Sequence, residues 1–377
     1  MAFPLSLMMA LVPEQARLTG SPGGAVAGGM PDEPVVLDPL QDPAAWDALL
    51  ANHPQASFFH TAAWARVLHE TYGHKPFYFC RRGAGGMLEL LPVMEVDSRW
   101  TGRRGVSLPF TDNCPALSAG VTHGAGRLHE AAVALGRQRG WKYLETRGEG
   151  VRPGTRASVT YYGHALDLSR GPERLYAALH HSIRRGVRKA ERAGLKIERS
   201  ATLEAMRAFY ALHCLTRRRH GVPPQPFSFF ESIVRHVFAT GRGCIFSARQ
   251  ASGVVVAAAV FFQHRGRAIY KFGAFDRRFQ ALRPNNLLMW EAIKWHAQNG
   301  HATLHLGRTS PSASGLRRFK LEFGAREERI DYFRFHFTRN RFVPAVDHAE
   351  SWVTPVFRCV PLPLLRWLGR MIYPHSS

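Results

Sequence analysis

Apolar residues recur at helical spacing in two stretches between Pro43 and Val67, on either side of an aromatic step in FFHTAAWARVL. The pattern then becomes strand-like, so Lys75 to Cys80 and Met87 to Val96 are predicted as strands joined by RRGAGG. An Arg- and Gly-rich loop can cradle phosphate when it opens a helix, because the helix N-terminus supplies the amide donors. Here the strand MLELLPVMEV follows instead, and a hairpin turn is the better reading.

Next come a loop, SLPFTDNCPAL, a helix near Gly126 to Arg139 stopped by Gly140, and a strand, WKYLETR. Strands and helices alternate again further on. A basic helix is predicted from Pro172 to Ala193, then strand LKIER and helices Leu203 to Arg219 and Ser228 to Ala239. Strands CIFSAR, VVVAAAVFFQH and AIYKFGAF follow, then a helix from Asn285 to Gln298, strand ATLHLG, a short helix LRRFKLEF and strand ERIDYFRFHF. This order implies an α/β protein with mixed sheets, built as two halves in tandem that divide near Asp167 to Pro172. The expected domains are 35–167 and 168–340.

The ends of the chain read differently. Residues 1–34 begin with an apolar dozen that has no basic n-region and is too short to span a bilayer, followed by a Gly/Pro/Ser-rich stretch; no cleaved signal is read, and a flexible leader is expected. The tail, 341–377, contains VFRCVPLPLLRWLGRMIY, whose prolines rule out one long helix. Its apolar residues beside Arg358, Arg366 and Arg370 suit either a strap on the body or a seat at a lipid interface.

Composition adds an anionic partner. Of 377 residues, 45% are hydrophobic and 21% charged, which fits a folded globular chain, and the net charge is +22. Phosphate, nucleic acid or a lipid surface would satisfy that charge. Only seven of the fifty cations are Lys, so coding bias toward Arg is an alternative source. Five widely spaced cysteines form no C-x-x-C pair and imply neither a disulfide framework nor zinc, as in a reduced cytoplasmic chain. Nineteen His include no H-E-x-x-H, and no metal is expected.

Two segments carry candidate chemistry. In the basic helix, Leu175, Leu179, Ile183, Val187 and Ala190 make one apolar stripe, with Arg184, Arg188 and Arg192 as an adjacent ladder. Such a ladder suits a diphosphate, because Arg binds phosphate oxygens in pairs; a solvated face is the alternative. In LHLGRTSPSASGLRRFKLEFGA a strand ends at Gly307, so Arg308 and Lys320 converge on the strand end. A Lys there is a compact charge that can steady an oxyanion or hold a phosphate, or simply an amphipathic surface residue.

The segments HHSIRRGVRKAERAGLKIE, AIYKFGAF, RPNNLLMWEAIKWHAQNGHATLHLGRTS and GLRRFKLEFGA together resemble the FemAB-like group of the GNAT superfamily, over about Phe58 to Phe337. The resemblance implies two GNAT-like domains with an acceptor cleft between them and an N-acyltransferase acting in peptidoglycan, exopolysaccharide or other cell-envelope assembly. It places a Phe-Lys pair at Phe319 and Lys320, and a phosphate-binding Arg at Arg184 or Arg188. SLPFTDNCPAL, with Asp112 and Asn113, resembles the first-domain substrate loop. Asp112 would orient or deprotonate the acceptor amine, unless it only closes its turn, and Tyr270 would hydrogen-bond substrate. Trp64, Phe272 and Trp290 are read as core. The coiled-coil insertion of some tRNA-using members is missing, so acyl-CoA and aminoacyl-tRNA both stay open as co-substrate. The expected acceptor is a phosphate-bearing envelope precursor or a sugar amine, met in the cytoplasm or at the inner membrane surface. The competing readings are an acyl-CoA-dependent N-acetyltransferase of another substrate, a catalytically silent scaffold, and a nucleic-acid-binding protein held by charge alone.

Overall fold

In the computed structural model, which describes residues 33–51, 53–83, 86–118, 124–148, 151, 154–345 and 354–376, fourteen strands join one mixed sheet. Nearly all of the expected leader thus lies outside the described residues. The strands are β1 (Val35–Leu37), β2 (Lys75–Gly83), β3 (Gly86–Val96), β4 (Arg104–Val106), β5 (Leu117–Ser118), β6 (Tyr143–Arg147) and β7 (Val159–Asp167). They continue with β8 (Lys196–Ser200), β9 (Gly243–Arg249), β10 (Val255–His264), β11 (Arg267–Phe275), β12 (Thr303–His305), β13 (Arg326–His336) and β14 (Arg341–Phe342). Their order across the sheet is β1-β2-β3-β4-β6-β13-β7-β12-β11-β10-β9-β8, with β14 on β13 and β5 on β3.

The late strand β13 runs antiparallel between β6 and β7, and β7 also pairs with β12. Sheet hydrogen bonding is therefore continuous across the chain position at which two halves are expected. β2 and β3 pair down to Gly83↔Gly86, the register of a hairpin at RRGAGG.

Alternation along β10 puts cores on both faces of the sheet. Ala258, Val260 and Phe262 join Trp64, Phe209 and Phe229 in one cluster, with Phe272 against it. Ala257, Ala259 and Phe261 join Ile183, Val187 and Trp290 in another. The helices Ala62–Tyr72 and Leu203–Arg219 thus cover one face, and His181–Arg192 with Pro284–Gln298 the other.

Two expected helices change form. The stretch Pro172 to Ala193 is two helices, Pro172–Ala178 and His181–Arg192, broken where Leu179 turns extended at ψ 138°. His180 then caps the second helix, its side chain accepting from Ser182 N–H, while its own N–H donates to the Glu322 carbonyl at 2.9 Å. The apolar stripe survives the break, since Leu175, Leu179, Ile183, Val187 and Ala190 are all buried. Helix Phe227–Ile233 widens into a π-helical turn over Val234–Phe238. The tail forms two helices, Thr354–Cys359 and Leu362–Ile372, interrupted at Pro361 as its prolines require.

Candidate functional site

β11 and β12 pair in parallel only over Arg267↔Thr303, Ala268↔Leu304 and Ile269↔His305. β12 stops there, β11 continues to Phe275, and the strands part. Gly307 makes the turn in the left-handed region at φ +73°, where a Cβ would sit 3.2 Å from Asp112 Oδ2 and 3.4 Å from the Tyr270 carbonyl. The wedge is a cavity of about 380 Å³ whose walls include Asp112, Tyr270, Lys271, Arg308, Phe319 and Lys320. Five of these six are residues that the sequence nominates.

Lys320 lies on helix Ser314–Glu322 and is only 3% exposed. Its Nζ donates to the Gly307 carbonyl at 2.8 Å and the Arg308 carbonyl at 3.1 Å, which uses two of its three N–H donors. Burial pulls its pKa down to about 8, against an upward pull from Asp112. The amphipathic surface alternative is thereby excluded. Phe319 is half-buried beside it, edge-on to Phe323 at 5.0 Å between centroids.

Asp112 faces this ammonium from a different part of the chain. Its loop is held from below: Tyr332 donates its hydroxyl to the Asp112 carbonyl at 2.7 Å, and Arg147 Nη1 donates to the carbonyls of Leu108 (3.2 Å) and Thr111 (3.1 Å). Arg147 in turn pairs with Glu145 at 2.9 Å, which Arg334 also binds at 2.5 Å. Leu108 and Phe110 sit at φ 55° and 59°, a conformation costing such residues about 1–3 kcal/mol each. The turn alternative for Asp112 does not describe its carboxylate, since Oδ2 accepts from Lys271 Nζ at 3.3 Å. Burial raises the carboxyl's pKa, but Lys271, Arg308, His305 and Lys320 outweigh it and hold the group below the usual carboxylate value. It is an anion at neutral pH and therefore better placed to orient an amine than to deprotonate one.

Arg308 stacks over the rings of Tyr161 at 4.2 Å and Tyr332 at 5.2 Å, and these phenols with Asp112 keep it charged against burial. Tyr270 keeps its proton, burial lifting its pKa to about 12, and its hydroxyl lies so close over Gly273 that any side chain there would collide.

Asp112 also fronts a second cavity, of about 330 Å³, lined by residues from both halves of the chain: Phe59 and Asn113 from the first, Ile269, His305 and Glu328 from the second. Asn113 Oδ1 is buried there without a hydrogen-bond partner. His305 Nδ1 accepts from Gly307 N–H at 3.0 Å, leaving Nε2–H to donate to Glu328 at 3.1 Å. Arg184 and Arg188 line neither cavity. Arg184 is half-buried and Arg188 exposed, on a helix whose Gly186 packs against Asn286, next to the cavity-lining Asn285.

Lys271 was missed, although its scarcity is a signal. It is one of only seven lysines and lies within AIYKFGAF, but its partner is 159 residues away. Among the described residues, no group of three or more His, Cys, Asp or Glu is arranged to hold a metal.

Residues 177–321, which include every cavity residue above except those of the Asp112 loop and of the Phe59 and Glu328 walls, match the acetyltransferase (GNAT) domain model. No curated protein matches the sequence. Among solved structures the chain is similar to FemX, at 13% identity and TM-score 0.61 over 76% of this chain and 94% of that one. It is also similar to L-PGS from Bacillus licheniformis, at 13% identity and TM-score 0.51 over 89% and 97%. A tandem GNAT protein from the clavulanic acid biosynthesis pathway gives 13% identity and TM-score 0.50 over 84% and 99%. The chain therefore has the tandem GNAT fold, and its residues 177–321 match an acetyltransferase (GNAT) domain.

Proposed function

We propose that this tandem GNAT-fold acyltransferase moves an acyl or aminoacyl group onto the amine of a cell-envelope precursor, with the donor carbonyl in the wedge between β11 and β12. One observation carries the reading. A buried ammonium, Lys320, and an anionic carboxylate, Asp112, face each other where two paired strands part.

The edge of β11 beyond Ile269 has left its partner β12, and a splayed edge suits an extended, amide-bearing donor arm that pairs with it like an added strand. A CoA thioester has such an arm. The donor's phosphates would lie outward, toward the basic helix bearing Arg184 and Arg188. The acceptor amine would approach Asp112 through the second cavity, between the halves expected at 35–167 and 168–340, with Glu328 and Asn113 beside its path.

The neutral amine attacks the donor carbonyl, forming an N–C bond and a tetrahedral oxyanion. Lys320 turns its third N–H to that oxygen, and Tyr270 remains a neutral hydroxyl donor. Collapse breaks the bond to sulfur or oxygen, and the amine's proton leaves with the thiol or hydroxyl. Asp112, tethered by Lys271, holds the amine in line, and positioning both substrates supplies much of the remaining acceleration.

FemX and L-PGS, as structural neighbours, support an envelope acceptor. The test is to incubate the purified chain with labelled acyl-CoA or aminoacyl-tRNA and a panel of amine-bearing envelope precursors. Label on a precursor amine with one donor class is expected. No transfer from either class to any amine would overturn the proposal.

A further inference from the structure

The tail helix Leu362–Ile372 has two faces with different partners. Its inner face is fixed to the body: Leu365 is fully buried, Gly369 lies directly on the Pro224 carbonyl, and the Tyr373 hydroxyl donates to the Pro223 carbonyl at 3.1 Å while accepting from Arg217 at 2.7 Å. The helix is therefore a rigid strap, and its orientation is set by the fold.

Its outer face presents Leu364 (49% exposed), Trp367 (56%) and Met371 (43%), spaced at three and four residues along one side. Trp100, 60% exposed, adds apolar surface at the far end, where its ring lies tilted against His375 at 4.3 Å between centroids. Cations accompany this surface. From residue 351 to 377 the sequence holds Arg358, Arg366 and Arg370 and no Asp or Glu. Arg366 and Arg370 also share a shallow groove with Arg207 and Trp367.

We infer that this face seats the protein on an anionic lipid bilayer. Large apolar side chains with an interfacial Trp enter the headgroup boundary, and flanking Arg meets lipid phosphate, as in helices that lie in the interface plane. The contact proposed is of the helix lying in the interface plane; among the described residues no helix is long and apolar enough to cross a membrane. RNA would satisfy the arginines equally well but gains nothing from Leu364 and Met371, since stacking on bases needs aromatic or guanidinium planes. The apolar stripe decides for lipid. The surface is separate from the wedge, so this inference stands or falls apart from acyl transfer.

Sedimentation with phosphatidylglycerol–phosphatidylcholine vesicles tests it on the full chain. Binding to these vesicles, but not to pure phosphatidylcholine, is expected, and it should weaken with salt. The triple variant Leu364→Ser/Trp367→Ser/Met371→Ser should lower the partition coefficient at least about tenfold, and Arg358→Glu/Arg370→Glu by a similar factor. Both variants alter exposed positions, so their circular dichroism and melting temperature should match the parent, and acyl transfer to a water-soluble amine should be unchanged. No binding to anionic vesicles, or undiminished binding by the triple variant, would overturn the inference. So would binding confined to single-stranded RNA.

Discussion

Replacing Lys320 by Met separates its chemical role from its structural one. The ammonium is 3% exposed, and its pKa falls from an ordinary 10.5 to about 8. At 1.36 kcal/mol per unit, keeping Lys320 charged costs the fold about 3 kcal/mol at neutral pH. Because the folded pKa is lowered, the unfolded chain binds more protons between pH 8 and 10.5, and this cost fades as pH rises through that window. Met removes the cost but leaves the carbonyls of Gly307 and Arg308 without their donor, about 1–3 kcal/mol for each if water cannot reach them. The two effects nearly offset, so Lys320→Met should fold with a melting temperature within a few degrees of the parent. Transfer is another matter. Loss of an oxyanion donor lowers kcat about 10²–10³-fold, roughly 3–4 kcal/mol. In the parent, kcat should also fall above about pH 8 as the ammonium deprotonates, and Lys320→Arg, which stays charged, should lose that alkaline limb at reduced activity. Differential scanning fluorimetry and initial rates from pH 6 to 10 measure both. A Lys320→Met variant with undiminished kcat, or an alkaline limb unmoved in Lys320→Arg, would refute the assignment.

Asp112→Asn should raise the acceptor KM about tenfold or more while changing the donor KM little, because the carboxylate faces the acceptor side; steady-state kinetics with each substrate varied checks this. Glu145 is a buried anion held below its ordinary 4.5 by Arg147 and Arg334, so its contribution to stability is present at neutral pH and lost as pH falls below 4.5. Glu145→Gln should lower the melting temperature at pH 7 and flatten its fall on acidification, seen in melts from pH 7 to 3. Gly369→Ala puts a Cβ 2.0 Å from the Pro224 carbonyl oxygen, and should destabilise by about 1–3 kcal/mol in chemical denaturation as the tail helix is forced outward.

Much of the fold was written locally. Helix Leu203–Arg219 was legible to its ends because Thr202 caps it and its apolar period is unbroken. Other features depend on distant partners. The break at Leu179 leaves the apolar stripe intact, and it is marked by a bond from His180 to Glu322, far along the chain. β7 carries VTYYGHALD, a strand by composition, yet it was passed over beside the expected domain boundary, and its partners β12 and β13 come more than a hundred residues later. The site divides in the same way. Lys320 and Arg308 could be nominated because a scarce Lys and an Arg follow a strand end, and Asp112 because its loop resembles a known substrate loop, whereas Lys271, as scarce a residue, sits in an ordinary strand and its role shows only through Asp112, 159 residues away. The basic ladder was sound as a pattern, but Arg184 and Arg188 do not line the wedge, which a helical wheel cannot tell.

Photo-cross-linking with a donor analogue that carries its reactive group on the acyl chain reports where the donor carbonyl rests. Peptide mapping should find adducts on 267–275 and 305–321, reduced in Lys320→Met and competed by unlabelled donor. Adducts confined to segments outside the walls of the wedge would contradict the site.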